Sequence, residues 1–338
     1  MERSEFPRTK VCGEYLGQSA RAELEDLGIA GSVQNEASDL RQIRLHVKGQ
    51  TVDLPFAGGA WSLARARLDS LLCSHAQAAG ALLVTARAES FKRTGSGFTI
   101  GFRTASGSED TLSAQTIVGA DGMGSIVARA FGLTKKPRGP ARFALGGHYR
   151  GFGHLDHNIE MYVRGKSYFA INPLGGELAN VMVIVDQSTL AHWRGAIDER
   201  LQETARELAG GRREIDAVGL VGKRVAIGPL QHCTHAPARV GVYLIGDAAG
   251  FLDPFTGQGV SLALRSAALA AESIASGEDD AHLRYERKQR KLFAGRARVA
   301  GLTSALLATP WLTEVAARTL QQSPSLRTRL MHLVTAAR

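Results

Sequence analysis

The sequence predicts an α/β fold in which a discontinuous domain of strand–turn–helix units carries a β-rich insertion and is followed by a helical C-terminal segment. Three observations predict it. Residues Val242 to Val260 read as a short buried strand, an acid at its end, a Pro/Gly loop and the start of an Ala/Leu-rich helix. Residues Thr116 to Arg129 repeat that order in brief: an apolar strand, the turn Ala120-Asp121-Gly122, then a helix opening near Met123. Between the two lies a mixed block, residues 141–227, with strand-like runs at Glu160–Val163, Tyr168–Ile171 and Ala179–Val185.

The remaining elements follow from local pattern. A helix is predicted from Ser19 to Leu27, stopped by Gly28 in the manner of a C-cap. Residues Leu40 to Leu54 alternate apolar and polar around Lys48-Gly49-Gln50, which predicts a hairpin. Leu68, Leu71, Leu72 and Ala76 recur at helical spacing, so a helix is expected from about Ala64 to Ala79, ended by Gly80. A β-meander follows, with strands near Leu82–Thr85, Ala88–Lys92, Phe98–Arg103 and Thr116–Val118. Its turns are Thr94–Gly97 and Ala105–Asp110. An amphipathic helix is expected at Ser188–Leu208 and another from Gln258 to Ser276. Asp280–Arg338 is helical and basic, divided by Pro310 and Pro324.

Composition narrows the function classes. The 338 residues are 44% hydrophobic and 22% charged, the balance of a globular protein long enough for two domains. Net charge is +9, spread along the chain and densest at Arg284–Arg298. A basic solvated surface accounts for most of it, and no nucleic-acid module is present. Three scattered cysteines, Cys12, Cys73 and Cys233, are too few for a disulfide framework and fit a cytoplasmic protein. No run approaches the roughly 18 apolar residues of a membrane span, which leaves peripheral association as the only membrane mode expected.

The chemistry concentrates in a few strings. In the first, Gly246-Asp247-Ala248-Ala249 leads to Asp253-Pro254-Phe255-Thr256-Gly257-Gln258-Gly259. An acid at the end of a strand can accept hydrogen bonds from sugar hydroxyls. Gly257 and Gly259 allow close approach of a flat ring, and the helix that follows directs its positive end towards it. A crossover whose glycines serve packing alone does not explain the acid. Asp121 can cap its helix, which is compatible with a binding role. Arg65 and Arg67 open a helix where either guanidinium could face an anion.

With Phe6-Pro7-Arg8-Thr9-Lys10-Val11-Cys12-Gly13-Glu14, these strings resemble the superfamily of FAD-dependent monooxygenases and geranylgeranyl reductases. The resemblance implies a Rossmann-type, glutathione-reductase-like FAD-binding domain formed by residues 1–30, 61–140 and 231–276. Residues 31–60 and 141–230 would form the substrate domain and 277–338 the C-terminal helices. It places Glu2 on the adenosine ribose, and Arg8, Cys12 and Arg65 along the cofactor. Asp121 and Gly122 would lie at the pyrophosphate, Gly246 and Asp247 at the ribitol, and Pro254, Gly257, Gln258 and Gly259 at the isoalloxazine. The implied activity is an oxidoreductase using FAD and NAD(P)H on a hydrophobic or aromatic small molecule. Hydroxylation is favoured over reduction of isoprenoid double bonds, because Tyr168–Pro173 lacks the tryptophan of the reductases' substrate motif.

One departure matters. Members of this superfamily open with an apolar strand, a G-x-G-x-x-G turn and a helix, about thirty residues in a unit of this kind. Here the chain begins at the acid Glu2, and no G-x-G-x-x-G occurs. Neighbouring strands are then expected to carry unpaired edges. Translation from an upstream start is the favoured explanation; a shortened, flavin-less chain with a binding role is the alternative. The histidines His148, His154, His157, His232 and His235 lack metal-site spacing and are expected in turns or on the surface.

Overall fold

The computed structural model describes residues 1–338 apart from 96, 138–140, 153–154, 209–218, 252–253 and 336–338. Asp253 and His154 therefore lie outside the described residues. In chain order the elements begin with β1 (Tyr15–Leu16), α1 (Gln18–Asp26) and α2 (Ala30–Gln34), then the long hairpin β2 (Ser38–Val47) and β3 (Gln50–Ser62). Helix α3 (Arg65–Ala78) leads into the meander β4 (Ala86–Thr94), β5 (Gly97–Thr104) and β6 (Glu109–Ala114). After β7 (Ile117–Gly119), α4 (Ile126–Ala130) and β8 (Thr134–Lys135) come β9 (Arg142–Arg150), β10 (Asn158–Arg164), β11 (Ser167–Gly175) and β12 (Leu178–Asp186). Helices α5 (Gln187–His192) and α6 (Ile197–Leu208), then β13 (Gly219–Ile227), β14 (Cys233–Thr234), β15 (Ala238–Arg239) and β16 (Val242–Leu244), precede the helices α7 (Gly259–Ala275), α8 (Ala281–Ala308), α9 (Pro310–Gln322) and α10 (Pro324–Thr335).

An eight-stranded sheet in the order β1-β3-β2-β10-β11-β12-β9-β13 dominates the molecule. Strand β12 is apolar without alternation because both its faces are covered. Val181, Val183 and Val185 pack with Leu201 and Ala205 of α6, while Met182 and Ile184 face the cluster that holds Ala317 of α9 and Met331 of α10. The basic C-terminal helices are thus the lid of one sheet face. Their division at Pro310 and Pro324 follows the sequence, since proline fits the first turn of a helix and not its interior.

The second sheet, β15-β16-β7, positions the candidate site. Val242, Tyr243 and Leu244 run parallel to Ile117, Val118 and Gly119, and the Ile245 amide continues the ladder to the Gly119 carbonyl at 2.9 Å. Gly119 is required by packing: a Cβ there would lie 2.8 Å from a Leu244 methyl and 3.0 Å from Val127. Strand β7 is at the sheet's edge with Val118 exposed, which is the unpaired edge the sequence predicts.

Three local expectations are corrected. Residues 82–85 form no strand; an isolated parallel bridge joins Glu2 to Thr85, and Leu82 is 90% exposed. An apolar run without a partner strand or a covering layer has nothing to hold it extended. The stretch Ser188–Leu208 is two helices rather than one. Asp186 caps the first through the Thr189 amide at 2.8 Å, and Gly195, at φ +86°, turns the chain before the second. Finally Glu109–Ala114 is a strand where the sequence indicates a turn through Asp110. It is exposed except at Ala114, and its one large apolar side chain, Leu112, faces solvent, so it carries no alternating apolar pattern.

The described helices include none long and apolar enough to cross a membrane. Helix α8 is instead tied to the small sheet, where the buried Tyr285 hydroxyl donates to the Leu244 carbonyl at 2.6 Å. Replacing Tyr285 with Phe leaves that carbonyl unpaired. Urea unfolding is expected to show a loss of about 1–2 kcal/mol with an unchanged denaturant slope.

Candidate functional site

The turns after β7 and β16 leave adjacent parallel strands at the same end of the small sheet, and these two turns carry Asp121 and Asp247. Asp121 accepts hydrogen bonds from the amides of Ile126 (2.6 Å) and Val127 (3.3 Å). The helix it serves starts at Ile126 rather than near Met123, with Ser125 as its N-cap accepting from Ala128 at 2.9 Å. The intervening turn needs the left-handed conformations of Gly122 and Gly124, at φ +75° and +76°. After β16, Gly246 is also left-handed, and its amide donates to Ser266 Oγ of α7 at 2.8 Å.

His232 holds the Asp247 turn in place. Its Nε2 pairs with the Ala248 carbonyl at 2.9 Å and its own carbonyl accepts from Phe251 at 2.9 Å, while Thr234 Oγ1 donates to Ala249. His232 is buried, not a surface histidine as its sequence setting suggests. Strand β14 brings it beneath the turn, a tertiary contact that no local pattern encodes.

Charge converges on Asp247 from the N-terminal segment and from α3. Its carboxylate accepts no hydrogen bond among the described residues. Burial pushes its pKa up, opposed by Lys10, Arg65 and His232. Lys10 is the reciprocal case: burial and Arg65 lower its pKa, and Asp247 and Asp69 resist. Arg65 is bidentate to Asp69 at 2.9 and 3.1 Å. Burial works against its charge, and Cys12 and Asp69 more than compensate, so its pKa is raised. Arg8 bridges Glu2 at 3.1 Å and Asp69 at 3.7 Å, and its Nε is buried without a partner. Glu2, Arg8, Cys12, Arg65 and Asp247 thus belong to one connected cluster. Arg67 turns outward to Glu36 and takes no part.

Pro254, Gly257, Gln258 and Gly259 form the second wall. The Gly257 amide closes a turn on the Pro254 carbonyl at 2.9 Å, and Gly257 is left-handed at φ +65°. The flat ring against it is that of Tyr15: a Cβ on Gly257 would stand 2.7 Å from Tyr15 Cδ1. Gly259 begins α7 with open space around its Cα. Gln258 precedes it without a side-chain cap, donates to the Val334 carbonyl of α10 and leaves its Oε1 buried and unpartnered. An unpartnered acid, a free guanidinium nitrogen and an uncapped helix N-terminus make a donor and acceptor set suited to a polyol diphosphate such as FAD.

Glu14 is the residue that sequence reasoning passed over. Its side chain is buried, its backbone is left-handed at φ +57°, and both carboxylate oxygens are engaged. Oε1 accepts from the Arg65 amide at 2.8 Å, which caps α3, and Oε2 pairs with His148 Nε2 at 2.8 Å. Asn172 donates to the carbonyls of Gly13 (2.9 Å) and Glu14 (3.0 Å), and Asn180 to that of Cys12 (2.7 Å). His148 is therefore a half-buried strand residue, whereas His157 is a half-buried turn residue that bonds the Asp39 carbonyl at 2.8 Å. The repeated asparagine, at Asn172 and Asn180 inside apolar strands, is the one signal that could have pointed here.

The Glu14 hydrogen bond raises the His148 pKa above its ordinary 6.5, against the opposing effect of burial. A pKa raised on folding stabilises fully below the unfolded value and loses its contribution as pH rises through the folded one. The stability advantage of the native chain over His148→Gln is expected to be largest below about pH 6.5. It should shrink above the raised pKa, as urea midpoints across pH would show.

Known proteins agree with this geometry. A family profile described as FAD binding domain matches residues 13–297. A menaquinone reductase of Mycolicibacterium smegmatis is 26% identical over 295 residues, covering 82% of this chain and 70% of the relative. A digeranylgeranylglycerophospholipid reductase of Methanothermobacter thermautotrophicus is 30% identical over 243 residues, 68% of this chain and 60% of the relative. In fold, p-nitrophenol 4-monooxygenase of Pseudomonas putida superposes with a TM-score of 0.80 at 17% identity, covering 99% of this chain and 88% of that one. The chain accordingly belongs to the FAD-binding domain family and is an FAD-dependent oxidoreductase.

Proposed function

We propose that this chain uses FAD, reduced by NAD(P)H, to reduce a hydrophobic small molecule of the quinone or isoprenoid class. The observation that carries the reading is Asp247, a half-buried carboxylate at the end of β16 that accepts no hydrogen bond among the described residues. It is supported by the two curated reductases, whose names place their substrates among prenyl lipids. Bound FAD would supply the two-electron transfer. The chain's own work is placement. Asp247 accepts from the sugar-chain hydroxyls, and Arg8 and Arg65 neutralise the diphosphate. Glu2 takes the adenosine ribose. The uncapped start of α7 meets negative charge on the ring side.

A second reading, hydroxylation, keeps the same cofactor site. The fold likeness to p-nitrophenol 4-monooxygenase favours it, as does the missing tryptophan in Tyr168–Pro173. That stretch serves the fold: Tyr168 and Ile171 are buried, and the Pro173 carbonyl accepts from Ser62.

FAD titration of the purified chain, followed by flavin fluorescence, tests the reading. Quenching is expected to saturate, and Asp247→Ala should weaken it by about tenfold or more, the worth of charge-assisted hydrogen bonds. A chain that stays colourless with excess FAD would leave only a binding role without flavin. With FAD bound, NADPH consumption matched by menadione reduction, without oxygen incorporation into phenols, would separate reduction from hydroxylation.

A further inference from the structure

Lys and Arg occur along the whole chain, but their excess over acids does not. Residues 287–338 hold ten of the 41 Lys and Arg and one of the 32 acids. The net charge of +9 therefore lies within them, and residues 1–286 balance. That one acid, Glu314, is paired with Lys48 of the β2–β3 turn. The C-terminal helices are thus a positive layer fixed to a neutral body.

The fold decides which way these helices face. Ala317 and Leu320 of α9 and Leu330 and Met331 of α10 pack into the cluster on the large sheet, so their opposite sides look away from it. On α9 that side carries Trp311, Val315 and Arg318 at helical spacing, with Trp311 64% and Val315 53% exposed. On α10 it carries Leu326, Arg329 and Leu333, the last 61% exposed. Beside them the last turns of α8 expose Arg298 and Leu302. Thr313 Oγ1 donates to the Leu306 carbonyl at 2.7 Å and holds the start of α9 against the end of α8. Arg298, Arg318 and Arg329 are exposed and pair with no acid among the described residues.

A basic face meant only for solvent would carry polar residues between its cations. Here the cations are interleaved with tryptophan, leucine and valine, whose exposure to water is unfavourable until something covers them. The combination matches the head-group region of an anionic bilayer. Arginines meet lipid phosphates, the aliphatic side chains enter the acyl boundary, and the indole sits at the interface. No described helix is long and apolar enough to cross a bilayer, so these helices would lie in its plane. A second copy of the chain fits poorly, since this face would meet its own cations or the balanced remainder. A nucleic acid would satisfy the arginines and leave the apolar side chains wet.

We propose that the outer face of α9 and α10, with the end of α8, is a docking surface for a membrane rich in anionic phospholipid. Docking needs neither FAD nor substrate, so it stands apart from the function proposed above. It has a consequence for the site all the same. Val334, on the inner side of α10, accepts from Gln258, so the docked chain holds that turn within ~10 Å, one helix diameter, of the lipid.

The test is co-sedimentation of the full chain with vesicles of phosphatidylcholine alone or mixed with phosphatidylglycerol. Binding is expected to the anionic vesicles, to weaken as salt is raised, and to shift tryptophan emission to the blue. Trp61 is buried and Trp193 half-buried, so the shift belongs to Trp311. Trp311→Ser should abolish it and weaken binding by about tenfold. Arg318→Gln combined with Arg329→Gln should weaken binding by about tenfold or more, each surface arginine being worth about fivefold. Lys92→Gln, on the exposed side of β4, should leave it unchanged. All these side chains are exposed, so the variants are expected to fold, as circular dichroism would check. Equal binding to neutral and anionic vesicles, or native affinity in the double arginine variant, overturns the proposal. So does binding to duplex DNA with none to vesicles.

Discussion

The buried carboxylate of Glu14 is the contact on which the arrangement depends. A charge out of water costs several kcal/mol unless hydrogen bonds replace its hydration, and here the replacements come from different parts of the chain. Arg65 on α3 gives its amide, and β9 gives the His148 imidazole. The left-handed backbone at Glu14, an uncommon conformation outside glycine, is held by that surrounding structure. Asn172 and Asn180 stitch the carbonyls on either side. One residue therefore joins the N-terminal segment, helix α3 and the large sheet.

Consequences spread outward from that joint. Fixing residues 12–14 constrains Lys10 and Arg8, two and four residues earlier, and fixing the start of α3 aims Arg65 rather than Arg67 at the cluster. Asp247 then meets its counter-charges without touching them. Its carboxylate, half-buried, is partly desolvated and accepts no hydrogen bond among the described residues. The second acid, Asp121, is already committed to the amides of Ile126 and Val127, so its role is to shape the turn.

The C-terminal helices bind the two halves of the molecule together. Helix α8 reaches the small sheet through Tyr285, while α9 and α10 cover the large one through Ala317 and Met331. Helix α10 also meets Gln258 at the head of α7, and the Tyr15 ring fills the space over Gly257. The Gly257–Gln258 turn is therefore contacted by residues from both ends of the chain, which no local motif foretells.

Much of this was legible beforehand wherever the information was local. The order strand, acid, Pro/Gly loop, helix identifies Val242–Ala275, and alternation around Lys48-Gly49 identifies the β2–β3 hairpin. Two prolines mark the ends of α8 and α9. Where neighbours decide, the pattern failed: Leu82–Thr85 is apolar but has no partner strand, and Glu109–Ala114 is a strand whose one large apolar side chain, Leu112, is exposed. The site divides in the same way. Glu2, Arg8, Cys12, Arg65, Asp121 and Asp247 were read from strings that each lie on one turn. Glu14, His148, Asn180 and His232 were not, because their meaning comes from pairings across more than a hundred residues or between a short strand and a distant turn. The sequence by itself determined which segments are strands, turns and helices and which acids end the strands, since those depend on backbone preference and periodicity. Only the tertiary structure decided which charges share a crevice and which lose their water, since burial and pairing are properties of the folded chain.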